Sequence, residues 1–168
     1  MIVYVMRHGP AEDRSPSGRD FDRPLSFEGR LVVERAARRL RAARRERDGS
    51  SPIARILSSP LVRARETAEI ARAHLGLQEL DIALVEELAA DEAPAMSLVA
   101  GLKDGEGDAL MVGHQPAAEV LVRSLCQGAP GLRAMRTATI AAMEWTGRGW
   151  VLGAVIDAHA PAEDEAAR

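Results

Sequence analysis

Apolar residues along the chain come in two rhythms. Short apolar-rich runs, Ile2–Met6, Ile53–Leu57 and Ala109–Val112, alternate with longer stretches in which the apolar positions recur at helical spacing. The runs predict strands, Ile2–Met6 being a central one covered on both faces, and the longer stretches predict amphipathic helices. After Ile2–Met6, Gly9-Pro10 ends the strand, and residues 9–25, rich in Asp, Arg, Ser and Pro, read as a loop. Ser26 with Glu28 and Gly29 starts a helix that continues to about Arg47, its apolar stripe being Val32, Val33, Ala36, Ala37, Leu40 and Ala43. Asp48-Gly49-Ser50-Ser51-Pro52 stops it.

The second half repeats this alternation. Ser58-Ser59-Pro60 forms a strand-to-helix turn with Pro60 expected at the first helical position, and the helix runs to Leu75 with Gly76 as its cap. Ile82–Val85 predicts an edge strand and Ala95–Leu102 a helix. Gly113-His114-Gln115-Pro116 follows the strand at Ala109–Val112 and leads into a helix over Pro116–Cys126. Thr137–Glu144 and Trp150–Ile156 predict two closing strands joined near Gly147. Strands alternating with helices imply an α/β fold, a three-layer α/β/α sandwich around a mostly parallel sheet. One domain is expected over residues 1–160, with a polar tail over 161–168.

Composition narrows the function. Net charge is −3 and the few aromatic residues are scattered, which speaks against a nucleic-acid binder. No apolar run reaches the ~20 residues of a membrane span, and the start lacks the marks of a signal peptide. A cytoplasmic protein without membrane association is expected. Cys126 stands alone, so no internal disulfide forms, and it reads as a buried inert thiol. No metal-ligand spacing and no nucleotide-binding loop occur, so no metal and no cofactor are expected. His74 at a helix end and His159 near the tail are assigned no chemistry, the latter being expected in solvent. Eight arginines at 30, 35, 38, 39, 41, 44, 45 and 47 crowd the first helix. They read as a solvated face with local pairs to Glu34 and Glu46.

The chemistry-bearing segments stand at predicted strand exits: Arg7-His8-Gly9, Ser58-Ser59-Pro60 with Arg63, and Gly113-His114. In open α/β sheets, ligands bind at that edge. Convergence there would gather two imidazoles and two guanidiniums, a costly cluster unless it faces an anion. A phosphoryl group fits, because arginine offers planar paired donors to its oxygens.

These segments, together with Pro24-Leu25-Ser26, Gly29, Ala64 and Thr67, resemble the histidine phosphatase superfamily, whose fold is phosphoglycerate-mutase-like. The short chain, the Met6-Arg7-His8-Gly9 start, Arg23-Pro24-Leu25-Ser26 and Gly113-His114-Gln115-Pro116 are most similar to the SixA-type phosphohistidine phosphatases. The resemblance implies a phosphohistidine intermediate on His8, with Arg7, Arg63 and His114 holding the phosphoryl oxygens. Gly9 and Arg23 join the substrate-binding set, although a loop arginine such as Arg23 is more often solvated. The family's general acid is a mid-chain carboxylate. Glu87 is the positional match, with Glu86 and Asp91 as alternatives.

The chemistry adds two expectations. Charge from Arg7 and Arg63 should keep His8 neutral and nucleophilic, and a carbonyl of the Gly9 loop should fix its tautomer. Three functions stay open: hydrolysis of phosphohistidine on a partner protein, hydrolysis of a small phosphomonoester, and phosphate binding without catalysis.

Overall fold

The computed structural model describes residues 1–47, 49, 51–89, 95–103 and 105–160. Its first strand, Ile2–Arg7 (β1), sorts its side chains by the two-residue period of extended chain. Ile2, Tyr4 and Met6 go to one face, where they join Val33, Ala37 and Leu40 of helix Phe27–Glu46 (α1) and Ala64, Ala68 and Ala71 of helix Val62–Leu75 (α2). Val3 and Val5 go to the other, where they meet Val99 and Leu102 of helix Met96–Leu102 (α3) and Leu121 and Val122 of helix Ala117–Leu125 (α4). Helices therefore cover both faces of the sheet, as the unbroken apolar character of β1 requires.

The sheet has six strands: β1, Ile53–Ser58 (β2), Ile82–Leu84 (β3), Asp108–Gly113 (β4), Ile140–Trp145 (β5) and Trp150–Ile156 (β6). Their order is β3-β2-β4-β1-β5-β6. β1, β2, β3 and β4 are parallel, while β5 and β6 close the sheet antiparallel. This is the α/β/α architecture and mostly parallel sheet expected from the sequence.

Register decides where the site lies. Arg7 pairs with Gly113, and Ser58 pairs with Val112. The three strand exits thus end level with one another. The His8 N–H donates to the Gly113 carbonyl at 3.0 Å, and the Ser59 N–H to that of Val112 at 2.9 Å.

Several elements differ from the sequence reading. Pro60 is not at the first helical position: Leu61 is the extended cap residue and α2 starts at Val62. Gly76 does cap α2, with φ of 77° in the left-handed region. β5 begins at Ile140 rather than Thr137, because Ala138 takes a φ of 59° and its N–H turns back to the carbonyls of Arg7 and His8, each at 3.1 Å. The expected tail over 161–168 lies outside the described residues.

The arginines of α1 are not simply a solvated face. Among the described residues, Arg38 makes a local pair, with Glu34. Arg35 and Arg39 donate to carbonyls of Ala158, Asp157 and Ala160, Arg30 pairs with Glu66, and Arg47, the residue capping the end of α1, pairs with Glu144. Arg44 reaches the buried Asp108 at 2.8 Å and the Tyr4 hydroxyl at 2.6 Å. Long side chains thus fasten α1 to the chain's last described residues and to the strand ends. His159 is half-buried rather than solvated, its Nε2 lying 3.0 Å from the Thr137 carbonyl. Cys126 is buried, and burial raises its pKa, in keeping with an inert thiol.

Candidate active site

Four of the residues singled out from the sequence meet at the exits of β1, β2 and β4. The His8 and His114 rings lie 5.0 Å apart between centroids, with planes tilted by 52°. Arg7 ends β1, and Arg63 stands in the first turn of α2 with its side chain 11% exposed. His8 Nδ1 lies 2.7 Å from the Gly9 carbonyl. A carbonyl only accepts, so Nδ1 carries the proton and Nε2 keeps its lone pair.

Burial is the main force on His8. It drives the pKa down to about 3, against the pull of the Gly9 carbonyl, and His114, Arg63 and Arg7 lower it further. The sequence reading expected a neutral imidazole on account of the arginines; they act in that direction, but desolvation leads. His114 is likewise pushed down to about 4, by burial first and then by Arg63. Both rings are therefore neutral near pH 7.

The positions of these groups follow from local bonds. Arg7 Nη1 donates to the Met135 carbonyl at 3.0 Å, while its buried Nε finds no protein partner. His114 is 3% exposed; its Nε2 lies 2.8 Å from Ser59 Oγ, and its buried Nδ1 likewise lacks a protein partner. Thr67 Oγ1 accepts from the Gly9 N–H at 3.1 Å and donates to the Arg63 carbonyl at 2.7 Å, tying the β1 exit to α2. A side chain at Gly9 would strike Val33 Cγ2 and approach Gly29 O at 3.1 Å.

Sequence reasoning missed Asp20. Its carboxylate accepts from Arg63 Nη2 at 3.0 Å and from Arg23 Nη1 at 2.8 Å, and its carbonyl accepts from Arg63 Nη1 at 2.9 Å. Asp20 is thus the carboxylate that pairs with Arg63. Arg23, whose Nε also donates to the Glu12 carbonyl at 2.6 Å, joins the site through Asp20. Asp20 sits among other polar loop residues, and nothing in the sequence marks it. The hydrogen bond from Arg23, joined by that from Arg63, holds its carboxyl below the usual range against desolvation.

Glu87 is exposed, in a short 3₁₀ turn over Glu86–Leu88. With His114, Leu88, Met111 and Leu121 it lines a cavity of ≈ 20 Å³. Glu86 is also exposed, and Asp91 lies outside the described residues. Among the described residues no group of three His, Cys, Asp or Glu is placed to hold a metal ion, and no helix is long and apolar enough to cross a membrane.

The family model of the histidine phosphatase superfamily (branch 1) matches residues 3–97, which hold Arg7, His8, Arg63 and Glu87. The chain belongs to that superfamily. The structure of the protein histidine phosphatase SixA complexed with tungstate is similar over 94% of this chain and 97% of that one, with 26% identity and a TM-score of 0.75. A structure assigned as phosphohistidine phosphatase SixA from Agrobacterium tumefaciens is 28% identical over 95% of this chain and 98% of that one, with a TM-score of 0.73. A phosphoglycerate mutase from Bacillus anthracis, 17% identical, shares the fold with a TM-score of 0.68 over 94% of this chain and 93% of its own. An uncharacterized protein of Picosynechococcus sp. is 44% identical over 77 residues, 45% of this chain and 43% of that relative, so the match spans less than half the relative's length.

Proposed function

We propose that the chain removes a phosphoryl group by taking it onto His8 Nε2, and that its substrate is phosphohistidine on a partner protein. The observation that carries the reading is the His8 ring: neutral, hydrogen-bonded through Nδ1 to the Gly9 carbonyl, and 5.0 Å from His114. An imidazole so held has its free lone pair on Nε2. That nitrogen attacks phosphorus in line as the bond to the leaving imidazole breaks, so the P–N bond moves from substrate to enzyme. Arg7, Arg63 and His114 stabilise the negative charge spread over the equatorial oxygens. Water then attacks the phosphoenzyme, phosphate leaves and His8 regains its lone pair.

The likeness to two SixA structures supports phosphohistidine as the substrate. So does the chemistry, since a protonated imidazole leaves readily and asks little of a general acid. A phosphohistidine-bearing protein, incubated with the enzyme in EDTA, should release phosphate rapidly, and far faster than an alkyl phosphate does. No release at micromolar enzyme would overturn the substrate assignment.

One observation favours hydrolysis of phosphomonoesters instead. Glu87 lines the same small cavity as His114, where an acid for an alkoxide leaving group would be useful. Ester turnover that exceeds phosphohistidine turnover would select this second reading.

A further inference from the structure

We infer that Glu119 is a positioning residue that sets the Arg7 guanidinium through the segment 127–139. The inference rests on the reading above, in which Arg7 holds phosphoryl oxygens. Glu119 lies in the first turn of α4, five residues after His114. Its two carboxylate oxygens are fully engaged. Oε2 accepts from Gln115 Nε2 at 2.6 Å and from the Met135 N–H at 3.0 Å. Oε1 accepts from Arg123 Nε at 2.9 Å and forms an ion pair with Nη2 at 2.8 Å.

Arg123 extends the clamp. It donates to the Gly128 carbonyl at 3.2 Å and to the Leu132 carbonyl at 3.0 Å. Glu119 and Arg123 together therefore fix both the start and the end of 128–135 against α4. The segment needs fixing: Gln127, Ala129 and Ala138 take φ of 50°, 46° and 59°, a region that side chains with a Cβ disfavour.

The far end of the segment reaches the site. Met135, whose N–H is held by Glu119, offers its carbonyl to Arg7 Nη1 at 3.0 Å. Three residues on, the Ala138 N–H takes the carbonyls of both Arg7 and His8. One residue therefore separates the Glu119 carboxylate from the acceptor that orients the guanidinium. Burial pushes the Glu119 carboxyl up, but the Met135 N–H, Arg123 and Gln115 outweigh it and hold the group ionised. Its negative charge in turn favours the charged form of Arg7 against burial. Glu119 touches no reacting atom.

The test is a double-mutant cycle read by tungstate binding and by kcat/KM, using wild type, Glu119→Gln, Arg7→Ala and the double variant. Glu119→Gln should weaken tungstate binding and lower kcat/KM about 10-fold in the Arg7 background, and less than about 2-fold once Arg7 is alanine. A role confined to stability would lower Tm without this dependence on Arg7. Multiplying losses in the double variant, or an unchanged tungstate Kd in Glu119→Gln while Arg7→Ala weakens it, would overturn the inference alone. Unchanged tungstate binding in Arg7→Ala would overturn the site reading and the inference with it. Should Glu119→Gln fold poorly, Arg123→Gln frees Oε1 while leaving the carboxylate. It carries the same expectation at about 3-fold, with the same Arg7 dependence required.

Discussion

Asp20 accepts two hydrogen bonds from Arg63, one at its carboxylate and one at its carbonyl, at 3.0 and 2.9 Å. A carboxylate on this guanidinium uses donors that a phosphoryl oxygen also needs. The Asp20 side chain is 62% exposed, so the pair is worth at most about 1 kcal/mol and substrate can displace it. Asp20→Asn should therefore tighten inhibition by tungstate, by about 3-fold. Inhibition constants on the two proteins check this. Weaker inhibition in the variant would make Asp20 a support for Arg63 rather than its competitor.

The depressed histidine pKa values set two pH dependences. His8 and His114, at about 3 and about 4, stay neutral across the neutral range. No acid limb near pH 6.5 should come from His8 in the kcat/KM profile, and turnover should persist to about pH 5. Stability behaves differently. Between about pH 6.5 and 4 the unfolded chain binds protons on these rings that the folded chain does not, so stability falls as pH falls. The two rings contribute up to about 1.4 kcal/mol per pH unit each in that window. Urea midpoints measured from pH 7 to pH 4.5 should drop for wild type and drop less for His114→Gln. Equal slopes would contradict burial as the cause.

Substitution of Glu87 tests which class of leaving group the site serves. This residue lies in the lining of the His114 cavity and on no hydrogen bond to the four central residues among the described ones. Glu87→Gln should leave phosphohistidine turnover within about 2-fold while cutting turnover of an alkyl phosphate about 10²-fold or more, the usual worth of a general acid. Steady-state rates on both substrates check it. An equal loss on both would assign Glu87 a part in binding.

Gly29 is the tightest backbone approach near the site. A Cβ there would collide with the Pro10 carbonyl oxygen, which also accepts from the Ser26 N–H at 3.1 Å. Gly29→Ala must push α1 away from the β1 exit, costing about 2 kcal/mol and lowering Tm by about 5 °C. Activity should fall as well, because Gly9 is packed between Val33 and Gly29. An unchanged Tm would show that the loop yields freely.

Much of this was legible in the sequence because it depends on local rules. Apolar runs, the Ser26 cap and the Gly76 stop placed the elements, and the edge rule for parallel sheets brought His8, Ser59 and His114 together. Asp20, Glu119 and Met135 were not legible. Asp20 acts from a polar loop without periodicity, and Glu119 and Met135 meet only after the chain has folded back across 16 residues. The α1 arginines misled for the same reason. Their partners, Asp108, Glu144 and the carbonyls of 157–160, are distant in sequence, so only local pairing could be weighed.

The measurement closest to the central claim is the covalent intermediate itself. Enzyme mixed with a labelled phosphohistidine protein is quenched within milliseconds in alkaline denaturant, which spares the acid-labile N–P bond, and is mapped by mass spectrometry. The account predicts one phosphoryl group on His8, formed and lost within a turnover, and absent from His8→Ala together with phosphate release. Label on another residue, or turnover that survives in His8→Ala, would contradict it.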